Sequence, residues 1–246
     1  MSTIINESIR LEIAGENALM LYFSDKTQAS ITLESVISAE INSNVHQAVQ
    51  LIRTHLSVEV IDLIPSYASI LVVFNLLEID HQHLSNRLKY LLKTCGSGGN
   101  KPGKLIELPV YYSLASGIDL TRIAKQAKIS VEQVIALHQK PEYRVYAIGF
   151  APGFAYLGEV DQRIAMPRLT SPRLKVPKGA VAIADRQTAV YPAESPGGWN
   201  IIGLCPVDMF NAQTDPVMRL SVGDRVTFVA IEKSEFLTLG GVLPCL

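Results

Sequence analysis

Apolar positions along this chain change period twice, and the changes divide it. Residues 9–23 alternate apolar and polar around a Gly-Glu-Asn turn, which predicts two strands. Val45, Val49, Ile52 and Leu56 recur at helical spacing and predict a helix over roughly 35–55. Val58–Ile64 and Ser69–Asn75 are rich in β-branched residues and read as adjacent strands. Leu84, Leu88, Leu91 and Cys95 again mark one helical face. Strands alternating with two helices predict an α+β sandwich of ferredoxin-like type over residues 1–95. A polar, Gly-rich stretch over residues 96–104 then reads as a linker.

The second half begins with a strand, Leu105–Tyr112. Asp119 is placed to cap a helix carrying Leu120, Ile123, Ala124 and Ala127. Ser130 and Gln133 form a capping box before a second helix carrying Val131, Val134, Ile135 and His138. Beyond residue 141 the pattern becomes short β segments: Tyr143–Ile148, Ala180–Ala184, Thr188–Tyr191, Asn200–Leu204 and Arg225–Ile231. Short strands joined by Gly/Pro turns predict a compact barrel over residues 105–246, with the helical hairpin beside it.

Composition narrows the function classes. The 246 residues are 48% hydrophobic and 18% charged, a globular balance, and the net charge of −1 gives no general attraction to nucleic acid or anionic membrane. Three scattered cysteines, no secretion signal and only short apolar runs predict a cytoplasmic protein without a transmembrane helix. The hairpin at 119–139 has helix-turn-helix spacing, but its second helix offers few base-reading groups, so a packed hairpin is the expectation and no nucleic-acid partner is predicted.

Candidate chemistry concentrates between Tyr143 and Pro206; residues 141–206 hold eight of the 13 prolines and the only tryptophan. From Arg163 to Lys178 there are five basic residues and no acid. The segment reads either as an anion site, with Arg168, Arg173 and Lys178 as ligands, or as a solvated basic loop. Gly197 and Gly198 offer backbone N–H groups for an anion, and Trp199 either walls a pocket or packs in the core. His138 reads as a core histidine. His81 and His83 lack further donors at metal spacing, so no metal site is expected. No Walker-type loop, Ser-His-Asp order or nucleophile elbow appears, and no catalytic residue is assigned.

The ordered pieces carry a specific resemblance. They are His138 with Tyr143, the run Gly149 to Gly158, Pro167-Arg168, Pro172-Arg173, Val176 to Ala184, Gln187-Thr188, Tyr191-Pro192 and Pro196 to Trp199. Together they resemble the KipI / PxpB family, the B components of 5-oxoprolinase, also labelled allophanate hydrolase subunit 1, over nearly the whole chain. The resemblance implies a ferredoxin-like domain followed by a cyclophilin-like barrel. It also implies a complex with a carboxyltransferase-like C component and a LamB/YcsF-type A component. That complex opens 5-oxo-L-proline to L-glutamate with ATP and Mg, held at the level of the complex and not by this chain alone. In that reading Arg168, Arg173 and Lys178 supply cations around the transferring phosphoryl group, Gln187 meets the lactam amide, and Phe154, Tyr156 and Trp199 wall the pocket. The alternative role in the family is inhibition of a sensor histidine kinase; biotin-dependent carboxyl transfer is a third. Asp185 stands where relatives have Gly, and Leu204-Cys205 where a polar or basic residue and Thr are usual.

Overall fold

The computed structural model describes residues 2–24, 38–93, 95 and 103–243. The chain divides into two compact units, Met1–Lys101 and Pro102–Leu246. Most of the Gly-rich stretch, residues 96–102, lies outside the described residues, as do residues 35–37 of the first predicted helix.

In the first unit the strands are β1 (Ser2–Asn6), β2 (Ile9–Gly15), β3 (Ala18–Phe23), β4 (Val60–Pro65) and β5 (Ser69–Phe74). They form one antiparallel sheet in the order β1-β2-β3-β5-β4. The helices are α1 (Ala39–His55) and α2 (His81–Leu92). Ser38 caps α1 by accepting from the Ile41 N–H, and Asp80 caps α2 by accepting from the His83 N–H. Alternation in β3 and β5 sends Leu19, Leu21, Ile70, Val72 and Phe74 to the face that α1 and α2 cover with Val45, Ile52, Leu84 and Leu88. β1 has no counterpart in the expected elements. His81 packs edge-on to Phe74, and His83 bonds Asp80 within its own cap. His81 therefore packs α2 against β5, and the exposed His83 belongs to the helix cap.

In the second unit the barrel strands are β6 (Leu105–Val110), β7 (Tyr143–Ile148), β8 (Ala155–Gly158), β10 (Ala180–Ala184), β11 (Gln187–Val190), β13 (Asn200–Leu204) and β14 (Arg225–Ala230). Their order is β13-β10-β11-β8-β7-β14-β6. All neighbours are antiparallel except β6 and β14, which run parallel in register from Leu105↔Arg225 to Val110↔Ala230. Tyr111 and Leu204 exchange backbone hydrogen bonds of 2.8 and 3.1 Å, joining the two end strands and nearly closing the barrel. A separate two-stranded flap pairs β9 (Arg173–Val176) with β12 (Ser195–Gly197). The helices are α3 (Leu120–Ala127), α4 (Val131–Gln139) and α5 (Lys233–Thr238).

Alternation splits the barrel's apolar residues into two cores. Val181, Ile183, Ile202, Val145, Leu157 and Val226 pack with α3 and α4 in one cluster. Ala180, Ala182, Ala184, Ala189 and Ile201 face the other way, beneath the flap. Ser130 and Gln133 make the capping box on α4, so the side chain best suited to reading a base edge is spent on the helix start. Asp119 corrects a prediction. It occupies the N-cap of α3 but makes no side-chain cap bond; its carboxylate is drawn instead to β13 and β9.

Candidate functional site

The flap covers a sheet face of very small residues. Four alanines on β10 and β11 pack in one cluster with the rings of Phe154, Tyr191 and Trp199. Phe154 is the hub, with ring centroids 4.9 Å from Tyr156, 5.2 Å from Tyr191 and 5.7 Å from Trp199, each near edge-to-face. Phe154 and Trp199 are buried, and Tyr156 is half-buried. Two of the three predicted pocket walls thus lie inside a packed cluster and reach the surface only at its edge. Phe150 stacks on Phe154 from outside at 5.2 Å and is 65% exposed, with a left-handed φ of 75°. Gly153, at φ 83°, turns the same loop so tightly that a Cβ would stand 2.9 Å from the Met209 carbonyl oxygen.

One ion pair fixes the flap's outer edge. Asp119 is buried, and its Oδ1 accepts from the Arg173 guanidinium at 2.8 Å while Oδ2 accepts from the Ile201 N–H at 2.7 Å. The Asp119 N–H returns a bond to the Ile201 carbonyl at 3.0 Å. Arg173 donates a second bond to the Trp199 carbonyl at 3.2 Å. The backbone on both sides of Asn200 is therefore clamped to the start of α3. Asn200 adds to this: its amide nitrogen donates to the Pro167 and Ile183 carbonyls, tying the loop before Arg168 to the barrel.

The basic segment resolves into pairs. Arg163 meets Asp161 at 2.7 Å, Arg173 meets Asp119, Lys175 meets Glu194 at 3.2 Å, and Lys178 meets Asp208 at 2.6 Å. Arg168 differs. Its guanidinium lies over the Trp199 indole, 5.7 Å from the ring centroid, and among the described residues it has no acidic partner. Lys178 stands apart from this edge, in a crevice of about 140 Å³ with Pro192, Asp208, Met209 and Phe236. Gln187 opens β11, opposite Gly158, on the strand face that also carries Ala189. The structure thus brings Arg168, Arg173, Tyr156, Trp199, Gly197 and Gly198 together and leaves Lys178 outside the group.

The two glycines serve different ends. A Cβ on Gly197 would meet the Tyr191 hydroxyl at 2.4 Å, so Gly197 exists to let that ring approach. A Cβ on Gly198 would meet only ordinary contacts, the nearest being Leu169 O at 3.6 Å and Arg168 Cβ at 3.9 Å. Neither glycine is among those with positive φ. Tyr191 and Asp119 are site residues that sequence reasoning missed. Burial pushes the Tyr191 hydroxyl's pKa up, partly offset by the Trp199 backbone and by Arg168 and Arg173. Asp119 gave a strong local signal as a helix cap, which hid its partner 54 residues away.

His138 lies in the barrel core. Thr188 spends its hydroxyl proton on the Ala182 carbonyl at 3.0 Å, so His138 Nε2 donates to Thr188 at 2.9 Å and Nδ1 accepts from the Tyr112 hydroxyl at 2.8 Å. Tyr143 donates to the His138 carbonyl at 2.8 Å. Full burial pulls the imidazole's pKa down to about 3, and the ring is neutral and inert at ordinary pH. The two family departures also fall on structure. Leu204 and Cys205 are buried, and burial raises the Cys205 thiol to about 12. Asp185 is exposed in the β10–β11 turn with φ 52°, a conformation that explains a glycine there.

Comparison with known proteins adds a common identity to this geometry. The family model described as "Carboxyltransferase domain, subdomain C and D" matches residues 9–220. The B component of 5-oxoprolinase from Bacillus subtilis (strain 168) is 34% identical, over 92% of this chain and 95% of its own length. Among solved structures, PH0987 from Pyrococcus horikoshii is 40% identical with a TM-score of 0.53, covering 92% of this chain and 99% of that one. TTHA0988 is 32% identical with a TM-score of 0.74 over 92% of this chain, which spans only 41% of that longer polypeptide.

Proposed function

The chain belongs to the family of 5-oxoprolinase B components, and from that premise we propose that it is the B component of an ATP-dependent 5-oxoprolinase, inactive alone. The reaction adds water to the lactam carbonyl carbon of 5-oxo-L-proline. The ring C–N bond breaks, the nitrogen takes up a proton, and L-glutamate results. The observation that carries the reading is the match to the Bacillus subtilis protein along almost the full length of both chains. The proposal includes a ferredoxin-like first unit, a cyclophilin-like barrel and a cytoplasmic location. It also includes two partners, a carboxyltransferase-like C component and a LamB/YcsF-type A component.

An unstrained lactam opens only with coupling to another reaction, which is the part assigned to ATP with Mg. Stabilising a transferring phosphoryl group takes several cations. In the basic segment Arg173 and Lys178 already face carboxylates, which favours a nucleotide site on another component of the complex. What this chain contributes is one rim of a composite site: Arg168 on Trp199, Tyr156 beside them, and the Asp119–Arg173 pair behind.

The test compares ATP hydrolysis and glutamate release by this chain alone, by candidate A and C components without it, and by the full mixture. Activity dependent on all three is the expected result. An assembled, folded complex that leaves 5-oxoproline intact would overturn the assignment.

A further inference from the structure

We propose that Arg168 is the residue that reads the carboxylate of the lactam substrate, with Trp199 as its platform and Asp119–Arg173 as the pair that positions the platform. The proposal rests on the function proposed above and assigns the part this chain plays in it.

Along one loop the basic side chains divide into paired and unpaired. Four of the five basic side chains between 163 and 178 face a carboxylate at 3.2 Å or less, and Arg168 alone faces an aromatic ring. A guanidinium that meets an indole and no carboxylate keeps N–H donors available, and their fork matches the two oxygens of one carboxylate. The Pro167 carbonyl is bonded to Asn200, so the backbone that carries Arg168 is tethered to β13. Trp199 is in turn fixed by its carbonyl to Arg173, and Arg173 to the buried Asp119. The arginine therefore sits on a prepared surface, unlike the paired lysines around it.

The backbone beside it carries little bulk. Gly198 leaves the ground next to Arg168 Cβ and Pro172 without a side chain, and a methyl group there would contact its neighbours without strain. Half-buried Tyr156, its ring centroid 5.9 Å from that of the buried Trp199, lies beside the same edge. A five-membered lactam presents an apolar ring, one amide and one carboxylate. One open cation is suited to that single negative charge and insufficient for a phosphoryl group, whose three oxygens call for several. Arg173 is different in kind: both of its visible bonds go to protein, so it acts through Trp199 as a positioning residue.

The experiment uses the assembled complex with variants of this chain and two lactams. One is 5-oxo-L-proline; the other is 2-pyrrolidinone, which keeps the ring and lacks the carboxylate. Arg168→Ala is expected to raise the KM for 5-oxoproline on the order of tenfold or more, as loss of a charge-assisted pair does, with kcat changed by less than about threefold. Its residual turnover of 2-pyrrolidinone should equal that of wild type. Gly198→Ala should raise KM in the same direction by filling the ground beside the guanidinium. Arg173→Ala should lower kcat/KM for both lactams alike, and Arg173→Lys should restore part of it.

An independent reading comes from Trp199, the only tryptophan in the chain. Titrating the full-length chain with 5-oxoproline should change its indole emission; 2-pyrrolidinone should not, and Arg168→Ala should abolish the change. Arg168 is exposed, so its replacement keeps the melting temperature and the result is not one of folding. A kcat that falls with KM unchanged would overturn the proposal in favour of a phosphoryl contact. Unchanged kinetics on both lactams would reduce Arg168 to a solvated arginine. A complex in which the wild type ignores 5-oxoproline, while the fluorescence change persists and is lost in Arg168→Ala, would sink the reaction and keep the carboxylate site.

Discussion

Two places in the second unit each set a nitrogen base among two tyrosines and put the group to opposite uses. The barrel interior carries His138, Tyr112, Tyr143 and Thr188; the flap edge carries Arg168, Tyr156, Tyr191 and Trp199. Inside, the proton accounting closes within the protein. Thr188 gives its proton to Ala182, His138 gives one to Thr188 and takes one from Tyr112, and Tyr143 is spent on a backbone carbonyl. At the edge it does not close, because Arg168 faces a ring where every other basic residue of its segment faces an acid. Residue type does not separate the two places. What separates them is whether the fold has already consumed the groups' bonding capacity.

The sharpest way to break this comparison is to remove the interior histidine. His138→Ala opens a cavity and leaves the Tyr112 hydroxyl and the Thr188 lone pair unsatisfied. We expect a loss of roughly 3–5 kcal/mol in denaturant unfolding. Activity per folded complex should survive at low temperature. A variant that loses kcat while keeping its stability would move His138 to the chemical side.

The same histidine predicts a pH dependence. Its folded pKa, about 3, lies below the usual value near 6.5, so the unfolded state binds the extra proton. Stability is then full above pH 6.5 and falls as pH drops toward 3, by up to about 1.4 kcal/mol per pH unit for one group. His138→Gln, which does not titrate, should flatten that part of the curve. An unchanged slope would assign the acid sensitivity elsewhere.

Gly197→Ala probes the boundary between the two places. Its methyl would stand 2.4 Å from the Tyr191 hydroxyl, and overpacking of this kind costs about 1–3 kcal/mol. Because Tyr191 supports Phe154 beneath the flap, substrate affinity should fall with stability. Affinity intact at reduced stability would show that the edge tolerates movement of its floor.

How much of this was legible depended on the range of the interaction. The helices followed from spacing, since Val45, Val49 and Ile52 or Leu84 and Leu88 need only their own turns to declare a face. Six barrel strands followed from short apolar β segments near their observed limits. The flap did not, because Arg173–Val176 and Ser195–Gly197 are too short and polar to show alternation. The closing contact of Tyr111 with Leu204 and the parallel pairing of β6 with β14 join residues about a hundred positions apart, and no local pattern encodes them. The basic run was visible as a run, but its meaning lay in the partners, Asp161, Asp119, Glu194 and Asp208, which only the folded chain brings to it.

Asp185 gives the smallest expected effect and the finest division between fold and chemistry. The family resemblance leads one to expect glycine here, in the turn that leads into Gln187, which invites a substrate role for the departure. The backbone offers a sufficient reason. At φ 52° the residue is left-handed, and its N–H donates to the Met166 carbonyl, so the position selects for glycine or a short polar residue whatever the reaction. Asp185→Gly trades relief of that conformation, about 1 kcal/mol, against the added freedom of the unfolded chain, about 0.4–1 kcal/mol. Stability should therefore move by less than about 0.5 kcal/mol, and kcat/KM for 5-oxoproline should stay within about twofold by the usual tolerance of exposed sites. Asp185→Val, which the left-handed region disfavours, should cost about 1–2 kcal/mol and still leave KM unchanged. A KM that moved with either variant at constant stability would extend the chemical edge from Arg168 across the sheet to this turn.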